Sequence, residues 1–384
     1  MGIIRDELYL MLKFFSGSRV KFVGLRERIE YYGQPLKTYW PAMFFIGGFV
    51  FDIFTLGRID SRINILTHAL YLLLVLGVLL TQILGVIAPP GAGRLLKAFF
   101  TYRNEAVHFF LGALLNAFVI FYFKSGTVFN DGLLLLLLAV LLVINEMNFF
   151  RVRGPALKMV LFNISLCSFF IYLLPVLIGN ISSGIFILSL VCALLVMLGV
   201  WRLLLWAGAG FTLLRRVLLV PTGTVVLGFA VLYGAGMIPP VPLSLMQIGI
   251  YHNLERQDGT FQVYRQTPPW HFWSQGDQDF LARDGDRLYL FCRIFAPGGF
   301  RDKLFFHFLF RDGRRGWRTT DRIPVTIVGG RDRGFRGYAF KSHYFPGYWR
   351  ALVETAEGLE VGRINFKIEK SEDTEPRIFY RERY

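Results

Sequence analysis

The hydrophobic pattern divides the chain into two parts with different periods. Seven apolar runs follow one another in the first part, most of them near the roughly 20 residues that cross the hydrocarbon core of a bilayer. They occupy residues 40–57, 63–88, 105–124, 131–150, 156–178, 182–206 and 217–238. Beyond them, apolar residues alternate with polar ones, which is typical of β-strands. The pattern therefore predicts a helical membrane bundle followed by an all-β domain in water.

The β-patterned part begins after a proline-rich segment, 239–247, which we predict to be a stiff linker. Residues 288–294 and 304–310 place an apolar side chain at every second position, and the clearest hairpin joins 348–354 to 361–366. Turns fall at Pro297-Gly298-Gly299, Asp312-Gly313, Gly329-Gly330 and Glu357-Gly358. Residues 248–370 are thus predicted to form an immunoglobulin-like β-sandwich. The charged tail, 371–384, is expected to be disordered.

The basic residues indicate which way the bundle is inserted. Segments on one side of the predicted helices hold 16 lysines and arginines, and segments on the other side hold 3. The positive-inside rule then places residues 1–39 in the cytoplasm, and seven spans export the β-domain. Most of the net charge of +15 flanks the apolar runs, where it meets membrane lipids, so no nucleic-acid partner is needed to explain it.

The N-terminal residues 3–30 mix apolar and charged positions at roughly helical spacing. This pattern predicts an amphipathic helix that lies at the membrane surface. A helix that binds a protein partner is the alternative, because its pattern would be the same.

Five ionisable side chains at membrane depth form two candidate functional groups. Asp52 and His68 fall near the outer ends of adjacent spans, and Glu105, His108 and Glu146 fall near the inner ends of the third and fourth spans. Such side chains are costly in a bilayer and often line proton or ion pathways. The alternative is structural, because nearly all of them fall near span ends, where they can cap helices or pair with neighbouring arginines. Both interpretations remain open.

Motifs for catalysis and cofactor binding are missing from the sequence. Its three cysteines form no Cys-x-x-Cys pair, and Gly-x-Ser-x-Gly, phosphate-loop and His-Glu-x-x-His patterns do not occur. We therefore expect neither an enzyme nor a bound cofactor or metal.

A family resemblance rests on the stretch GWRTTDRIPVTIVGGRDRGFRGYAFKSHYFPGYWRALVETAEGLEVGRINFKI and on the junction IPPVPLSLMQIGIYH. Both resemble an uncharacterised family of bacterial C-terminal domains, in which a G-x-W-R-x-x-V hairpin ends an immunoglobulin-like domain behind membrane spans. The resemblance covers about the last third of the chain. It implies a bacterial membrane protein and assigns no reaction or ligand.

A candidate binding face interleaves arginines with aromatic residues. Its members are Arg314, Arg315, Trp317, Arg331, Arg333, Arg336 and Tyr348. Arginine forks bind phosphate or carboxylate, and aromatic faces stack on flat groups. The alternative is that the arginines only solvate one sheet face while Trp317 and Trp349 pack in the core.

A second aromatic cluster, residues 268–273, contains Trp270 and Trp273. These rings could enter the membrane interface, a depth that tryptophan prefers. Core packing predicts the same residues equally well.

Together these patterns predict a multi-pass protein of the bacterial inner membrane that presents its β-sandwich to the periplasm. Its expected role is binding or assembly, either as an accessory subunit of an envelope complex with other membrane or periplasmic proteins or as a receptor for an anionic glycan or lipid head group. The alternative is a membrane-embedded enzyme or transporter that uses Glu105, His108 and Glu146. Stoichiometric partners on purification would favour the first function, and turnover lost in a folded Glu146→Gln variant the second.

Overall fold

The computed structural model describes residues 57–126, 128–146, 154–257, 259–271, 273–373 and 375–384. Residues Gly57–Tyr384 form one compact unit. The helices are α1 (Arg62–Ile83), α2 (Arg94–Ser125), α3 (Val128–Glu146), α4 (Pro155–Ile178), α5 (Ser183–Trp206) and α6 (Phe211–Gly234). Helix α6 contains a π-helical turn at Arg215–Leu219, just before Pro221, whose ring and missing N–H disturb the regular helical bonding.

Within the described residues, five helices are long and apolar enough to cross a membrane: α1, α2, α4, α5 and α6. The predicted count of seven is not matched. The first predicted span, 40–57, lies outside the described residues, and the fourth is described as a shorter apolar stretch, Gly132–Leu141, within α3. The predicted amphipathic segment, 3–30, also lies outside them. Large apolar side chains such as Leu95 and Leu177 point outward from the bundle, as lipid-facing residues do.

The C-terminal part is built from eleven strands. They are β1 (Ser244–Tyr251), β2 (Asn253–Gln257), β3 (Thr260–Arg265), β4 (Asp279–Ala282), β5 (Leu288–Phe295), β6 (Arg301–Asp312), β7 (Gly316–Val328), β8 (Phe335–Lys341), β9 (Gly347–Thr355), β10 (Glu360–Lys370) and β11 (Tyr380–Arg383). A five-stranded sheet has the order β4-β10-β9-β6-β7, and two three-stranded sheets have the orders β1-β5-β8 and β11-β3-β2. Strands β4 and β10 pair in parallel, and the other pairs are antiparallel.

One hydrophobic core joins the five-stranded sheet to the β1-β5-β8 sheet. Every second residue of β5 from Leu288 to Ile294 is buried in it, together with Leu304, Phe306 and Phe308 of β6. The period-two pattern of the sequence is confirmed at these positions, and so is the hairpin of β9 and β10. Trp349 is 1% exposed and is among the largest fully buried side chains. The β-domain is therefore a layered all-β structure with its core between two sheets.

The third sheet covers the outer face of β5 and includes the end of the chain. Strand β11 pairs with β3, and the ring of Tyr384 stacks on Phe291 at 5.3 Å between centroids. The prediction of a disordered tail is therefore wrong for Tyr380–Arg383. The sequence of β11 shows no alternation of apolar and polar residues, because the strand is held by pairing with β3 and by a ring contact and not by an apolar face of its own.

The predicted linker, 239–247, is partly wrong as well. Strand β1 begins at Ser244, four residues before the predicted domain boundary, and Leu243 belongs to the domain core. Val241 is also buried. The connection from α6 to the β-domain is therefore a packed segment, which limits the movement of the domain relative to the helices.

Candidate binding surfaces of the β-domain

The β-domain contacts the helices through one end of its strands, which we call the helix-facing end. The hydroxyl of Ser244 at the start of β1 donates to the carbonyl oxygen of Lys124 at 2.6 Å. At the start of β6, the N–H of Arg301 donates to the carbonyl oxygen of Gly179 at 2.8 Å. Gly179 follows α4 with φ +85°, and an added Cβ would lie 2.7 Å from the oxygen of Gly299. Only glycine fits there without displacing the loop.

A third contact joins the β9–β10 turn to α5. The carboxylate of Glu357 accepts hydrogen bonds from the main-chain N–H of Ser183 at 2.8 Å and from its hydroxyl at 2.6 Å. The hydroxyl of Tyr233 donates to the same carboxylate at 3.2 Å. Burial alone would raise the pKa of Glu357, but the hydrogen bonds from Ser183 and Tyr233 outweigh it and lower the pKa. The carboxylate also complements the positive N-terminal end of the helix dipole.

A fourth contact lies beside α1. Asp60 accepts hydrogen bonds from the guanidinium of Arg58 at 2.8 Å and from the N–H of Gly298 at 3.1 Å. Arg58 also pairs with Asp332 in the β7–β8 turn and lies over the ring of Phe295 at 5.2 Å. The helix-facing end is thus held by four separate groups of contacts.

The opposite, far end of the five-stranded sheet carries a cleft of about 410 Å³. It is lined by Gln278, Asp279, Arg311, Trp317, Tyr348, Trp349, Arg350, Asn365, Phe366 and Lys367. From Arg350 to Glu357, β9 and its turn advance by seven residues at about 3.3 Å each, so the cleft lies roughly 20 Å from the helix contacts. We call it the far-end cleft.

Arg350 is held in the far-end cleft by two contacts. Its guanidinium carbon lies 4.2 Å from the ring centroid of Trp317, and its Nε donates to Oδ1 of Asn365 at 2.7 Å. Burial lowers the pKa of Arg350, and the charge of Arg363 lowers it further. Because an arginine stays protonated at neutral pH, the cleft holds a positive charge in a fixed orientation.

The rest of the far-end cleft combines charge with an exposed aromatic ring. Tyr348 is 56% exposed, and the ammonium of Lys367 lies 5.8 Å from its ring centroid. The lining contains three basic side chains and one carboxylate, Asp279. This arrangement suits a flat polar ligand with a negative charge.

The predicted Arg-rich face does not form one surface, which corrects that interpretation. Trp317 and Tyr348 lie in the far-end cleft, and Arg314 and Arg315 lie in the β6–β7 turn beside it. The remaining members, Arg331, Arg333 and Arg336, lie at the helix-facing end, in and after the β7–β8 turn. Strand β7 separates the two groups by its whole length. The core alternative is right for Trp349 and wrong for Trp317, which is partly exposed.

Each of the two candidate intramembrane groups has one member whose side chain lies outside the described residues, so both stay predictions. His68 is buried near the β-domain and its Nδ1 lies 3.1 Å from the hydroxyl of Tyr172, with Phe118 and Phe121 around the ring. Glu105 and His108 lie in the N-terminal half of α2, which begins at the opposite end of the bundle; Glu105 is exposed and His108 is buried.

Asp52 and the side chain of Glu146 lie outside the described residues. Near the ends of the helices remote from the β-domain, the ammonium of Lys158 donates to Oδ1 of Asn104 at 2.8 Å, and Gln82 donates to the same oxygen at 3.1 Å. Among the described residues, no group of three or more His, Cys, Asp or Glu side chains could hold a metal ion.

The second aromatic cluster is exposed rather than packed. Trp270 is 68% and Trp273 is 65% exposed, with the ring of His271 between them. Core packing is therefore wrong for these two tryptophans. The membrane-interface interpretation stays a prediction.

The sequence interpretation missed two groups of residues. The first is the set of Arg350, Asn365 and Lys367 in the far-end cleft. The sequence did contain a signal for them. Tyr348 and Arg350 are two residues apart in β9 and so lie on one face, as do Asn365 and Lys367 in β10. The hairpin register pairs Arg350 with Asn365 and Tyr348 with Lys367.

The second missed group surrounds the buried His252, whose ring stacks on Phe280 at 4.0 Å between centroids. Its Nε2 lies 3.6 Å from a carboxylate oxygen of Asp277. That carboxylate accepts hydrogen bonds from three donors at 2.7–3.0 Å: the main-chain N–H of Gln266, which reaches both oxygens, and the main-chain N–H and hydroxyl of Thr267. Burial lowers the pKa of His252 and outweighs the opposing effect of Asp277. A lone histidine gives no spacing signal, so only the fold shows this group.

Comparison with known proteins assigns part of the β-domain to a family. A family model described as "Protein of unknown function (DUF2914)" matches residues 301–368, which run from β6 to most of β10. The match agrees with the predicted resemblance to an uncharacterised family. Eight of the ten residues that line the far-end cleft fall inside the matched segment. None of the curated proteins compared matches the chain.

Solved structures give only weak likenesses. β-Glucosidase from Listeria innocua is 10% identical with a TM-score of 0.18, over 24% of this chain and 15% of that chain. Its complex with isofagomine is 9% identical with a TM-score of 0.18, over 31% and 16%. The alkylpurine DNA glycosylase AlkC from Pseudomonas fluorescens, bound to DNA with an abasic site analog, is 11% identical with a TM-score of 0.19, over 71% and 72%. The chain spans about one sixth of the glucosidase chains, and these likenesses carry no functional argument.

Proposed function

We propose that this protein is a membrane-anchored binding subunit whose β-domain binds an acidic glycan in the far-end cleft. The observation that carries the proposal is the fixed Arg350 guanidinium, which lies over Trp317 and is held by Asn365. A preoriented fork can bind a carboxylate or phosphate with little loss of side-chain freedom. The exposed ring of Tyr348 beside it offers a face for a sugar ring.

The size of the far-end cleft fits this ligand class. Its volume of about 410 Å³ lies within the range of small-molecule sites. The side chains of Gln278 and Asn365 add neutral hydrogen-bonding groups that suit sugar hydroxyls. One acidic residue against three basic ones favours an anionic over a neutral sugar.

A lipid head group is the less suitable ligand for this cleft. The cleft lies roughly 20 Å from the helix contacts, which is about twice the distance over which salt screens exposed charges at physiological ionic strength. A head group that stays in the bilayer next to the helices would not reach Arg350. A glycan or a partner protein that extends from the membrane would.

The proposed membrane placement is the bacterial inner membrane, with residues 1–39 in the cytoplasm and the β-domain, an immunoglobulin-like sandwich, in the periplasm. The basic split of 16 against 3 supports this orientation. Seven spans are also proposed. Helix α2 ends beside Ser244, whereas Lys158 at the start of α4 lies beside Gln82 at the end of α1, so the chain between α2 and α4 crosses the bundle. Helix α3 lies in that part of the chain.

The test measures glycan binding to the full chain in detergent micelles by titration calorimetry. The probes are a uronic-acid tetrasaccharide and its neutral, carboxyl-reduced counterpart. We expect binding of the acidic sugar only. Arg350→Gln should weaken it by about tenfold or more, because a hydrogen bond to a charged group contributes about 1.5–3 kcal/mol. Trp317→Ala should weaken it by roughly 2–12-fold, from the usual contribution of an aromatic pair.

Matched controls separate the cleft from the rest of the domain. Arg333→Gln removes the same charge at the helix-facing end, and Trp270→Ala removes an exposed ring outside the cleft lining. Both should bind the sugar as the wild type does. Equal binding of the neutral sugar, or equal loss in the control variants, would contradict the proposal. Stoichiometric proteins that co-purify and are lost with Arg350→Gln would indicate assembly with a protein partner instead.

A further inference from the structure

A second basic surface lies at the helix-facing end of the β-domain. The β7–β8 turn places Arg331 and Arg333 on either side of Asp332, and both arginines are exposed. Asp332 pairs with Arg58, which stands four residues before the first residue of α1. The turn is closed by a hydrogen bond from the N–H of Gly334 to the carbonyl oxygen of Arg331 at 2.9 Å. The turn is therefore anchored next to the point where an apolar helix begins.

Five arginines gather around this turn, and we call them the membrane-side arginine cluster: Arg256, Arg293, Arg331, Arg333 and Arg336. The guanidinium of Arg293 donates to the carbonyl oxygen of Arg333 at 3.0 Å. Burial lowers the pKa of Arg336, and the charges of the other four arginines lower it further. The hydrogen bond from Arg293 to Arg333, and the position of Arg256 and Arg336 over one ring, Phe261, place these positive charges on one surface.

Two acidic side chains of the surrounding turn and strands form ion pairs with arginines outside the cluster. Asp332 pairs with Arg58, and Glu382 of β11 pairs with Arg265. Arg336 donates to the main-chain oxygen of Tyr384 at 3.0 Å, and Arg256 and Arg336 both lie over the ring of Phe261. These contacts hold the guanidinium groups of Arg256, Arg293 and Arg336 in place, and the side chains of Arg331 and Arg333 are exposed beside them. A phosphate group, with its several acceptor oxygens, would offset part of this positive charge.

We propose that the membrane-side arginine cluster binds the phosphate of an anionic phospholipid in the leaflet next to the β-domain. The inference rests on the proposed membrane placement of the helices and is independent of the glycan cleft. Its ligand is a lipid rather than a soluble phosphate because Arg58 ties the turn to the start of α1, within roughly one screening length of the head groups. Met246, which is 48% exposed, contacts the same turn with its sulfur near Gly334 and adds an apolar surface beside the charges.

The bound lipid would have a positioning role. The four groups of contacts fix the β-domain along its helix-facing end, and a phosphate between the arginines and the bilayer would add a fifth, on the side of the three-stranded sheets. On anionic membranes the β-domain would then keep one orientation, with the far-end cleft directed away from the bilayer.

The test uses the full chain in a neutral detergent and native mass spectrometry with added phosphatidylglycerol or phosphatidylcholine. We expect one phosphatidylglycerol to be retained in preference to phosphatidylcholine. Arg331→Gln together with Arg333→Gln should weaken its retention by roughly 25-fold, since each basic side chain near an anionic surface contributes about fivefold. Thermal unfolding should show the same difference, with phosphatidylglycerol stabilising the wild type more than the double variant.

The matched control is the double variant Arg314→Gln, Arg315→Gln, which loses the same charge in the β6–β7 turn at the far end. It should retain phosphatidylglycerol as the wild type does. Equal loss in both double variants would overturn the proposal, because the effect would then follow net charge alone. Stabilisation by inorganic phosphate as strong as that by phosphatidylglycerol would also overturn it. Because the glycan assay uses other residues, either proposal can fail without the other.

Discussion

Glu357 in the β9–β10 turn accepts hydrogen bonds from both the main-chain N–H and the hydroxyl of Ser183, so a single carboxylate joins the β-domain to the start of α5. Glu357→Gln should remove the charge at this helix N-terminus and reduce the free energy of unfolding by about 0.3–1 kcal/mol. Thermal unfolding of the full chain measures this change. Glu369→Gln, at the far end of β10, is the matched control and should change less.

The same contact predicts a pH dependence. Because the pKa of Glu357 is lowered in the folded state, its contribution is fully present above the usual pKa of 4.5 and is lost as the pH falls through the lowered value. The difference in melting temperature between wild type and Glu357→Gln should therefore be present at pH 6 and shrink below pH 4. A constant difference over this range would show that charge is not involved.

Trp349 should be far more important for stability than Trp317. Trp349 is buried against Phe310, and its Nε1 donates to the carbonyl oxygen of Phe345 at 2.9 Å. Trp349→Ala should cost about 3–5 kcal/mol. Trp317→Ala removes a partly exposed ring under Arg350 and should cost about 0.5–1 kcal/mol. Urea unfolding of a fragment of residues 238–384, followed by far-UV circular dichroism, compares the two.

The length of the fragment is itself a prediction. Residues 245–370 lack Leu243 and strand β11, so the third sheet loses an edge strand and the ring of Tyr384 that covers Phe291. We expect residues 238–384 to unfold at a higher urea concentration than residues 245–370, with both β-rich. Equal midpoints would mean that β11 contributes nothing to the domain.

Buried His252 should make the β-domain sensitive to mild acid. Its pKa is lowered in the folded state, so the unfolded chain binds the proton more readily at pH values below about 6.5. Stability should therefore decrease as the pH falls from 7 to 5, and a His252→Phe variant should lose part of this decrease. The measurement is the urea midpoint at each pH. Substitution of the exposed His343 by Phe is the control and should leave the dependence unchanged.

Salt should distinguish direct from long-range charges at the far-end cleft. Arg314 and Arg315 lie in the turn beside it, so reversing both to Glu should weaken acidic-sugar binding several-fold at low salt through the local potential. At 1 M salt the screening length falls to about 3 Å, and this difference should disappear. The effect of Arg350→Gln should persist in part, because that side chain contacts the ligand. Reversal of Arg331 and Arg333 should change sugar binding little at any salt concentration.

The proposed orientation predicts the activity of reporter fusions. A reporter that works only in the periplasm should be active after Tyr384 and in the Gly126 loop, which lies on the same side as Ser244. It should be inactive after Gly154, at the opposite end of the bundle. The reverse pattern would contradict the orientation and the count of seven spans.

The strands could be predicted where one face is buried, because burial enforces the period of two. Residues 288–294 and 304–310 show this pattern and form β5 and β6. Strand β11 could not be predicted in the same way, because its side chains are half-buried or exposed on both faces and its stability comes from pairing with β3. The local sequence does not predict that pairing.

The prediction of a single Arg-rich face was wrong for a geometric reason. Arg315 and Arg331 are only sixteen residues apart, but β7 lies between them as an extended strand of 13 residues, roughly 40 Å long. The two arginines are therefore at opposite ends of an extended strand, although they are close in sequence. Arg350 and Trp317 are further apart in sequence and meet, because β6 aligns with both β7 and β9.

The helix-facing end also orders the events of biosynthesis. Every helix terminus that the β-domain contacts, beside Arg58, Lys124, Gly179, Ser183 and Tyr233, precedes the β-domain in the chain. Chains emerge from the ribosome N-terminus first and fold domain by domain. Under the proposed membrane placement, the β-domain therefore folds after all of these helices, and it can seat fully only when each helix has been inserted with its correct end facing the β-domain. A seated domain thus reports that insertion has succeeded, and a chain with one inverted helix would leave a loop of the β-domain uncovered and open to proteases.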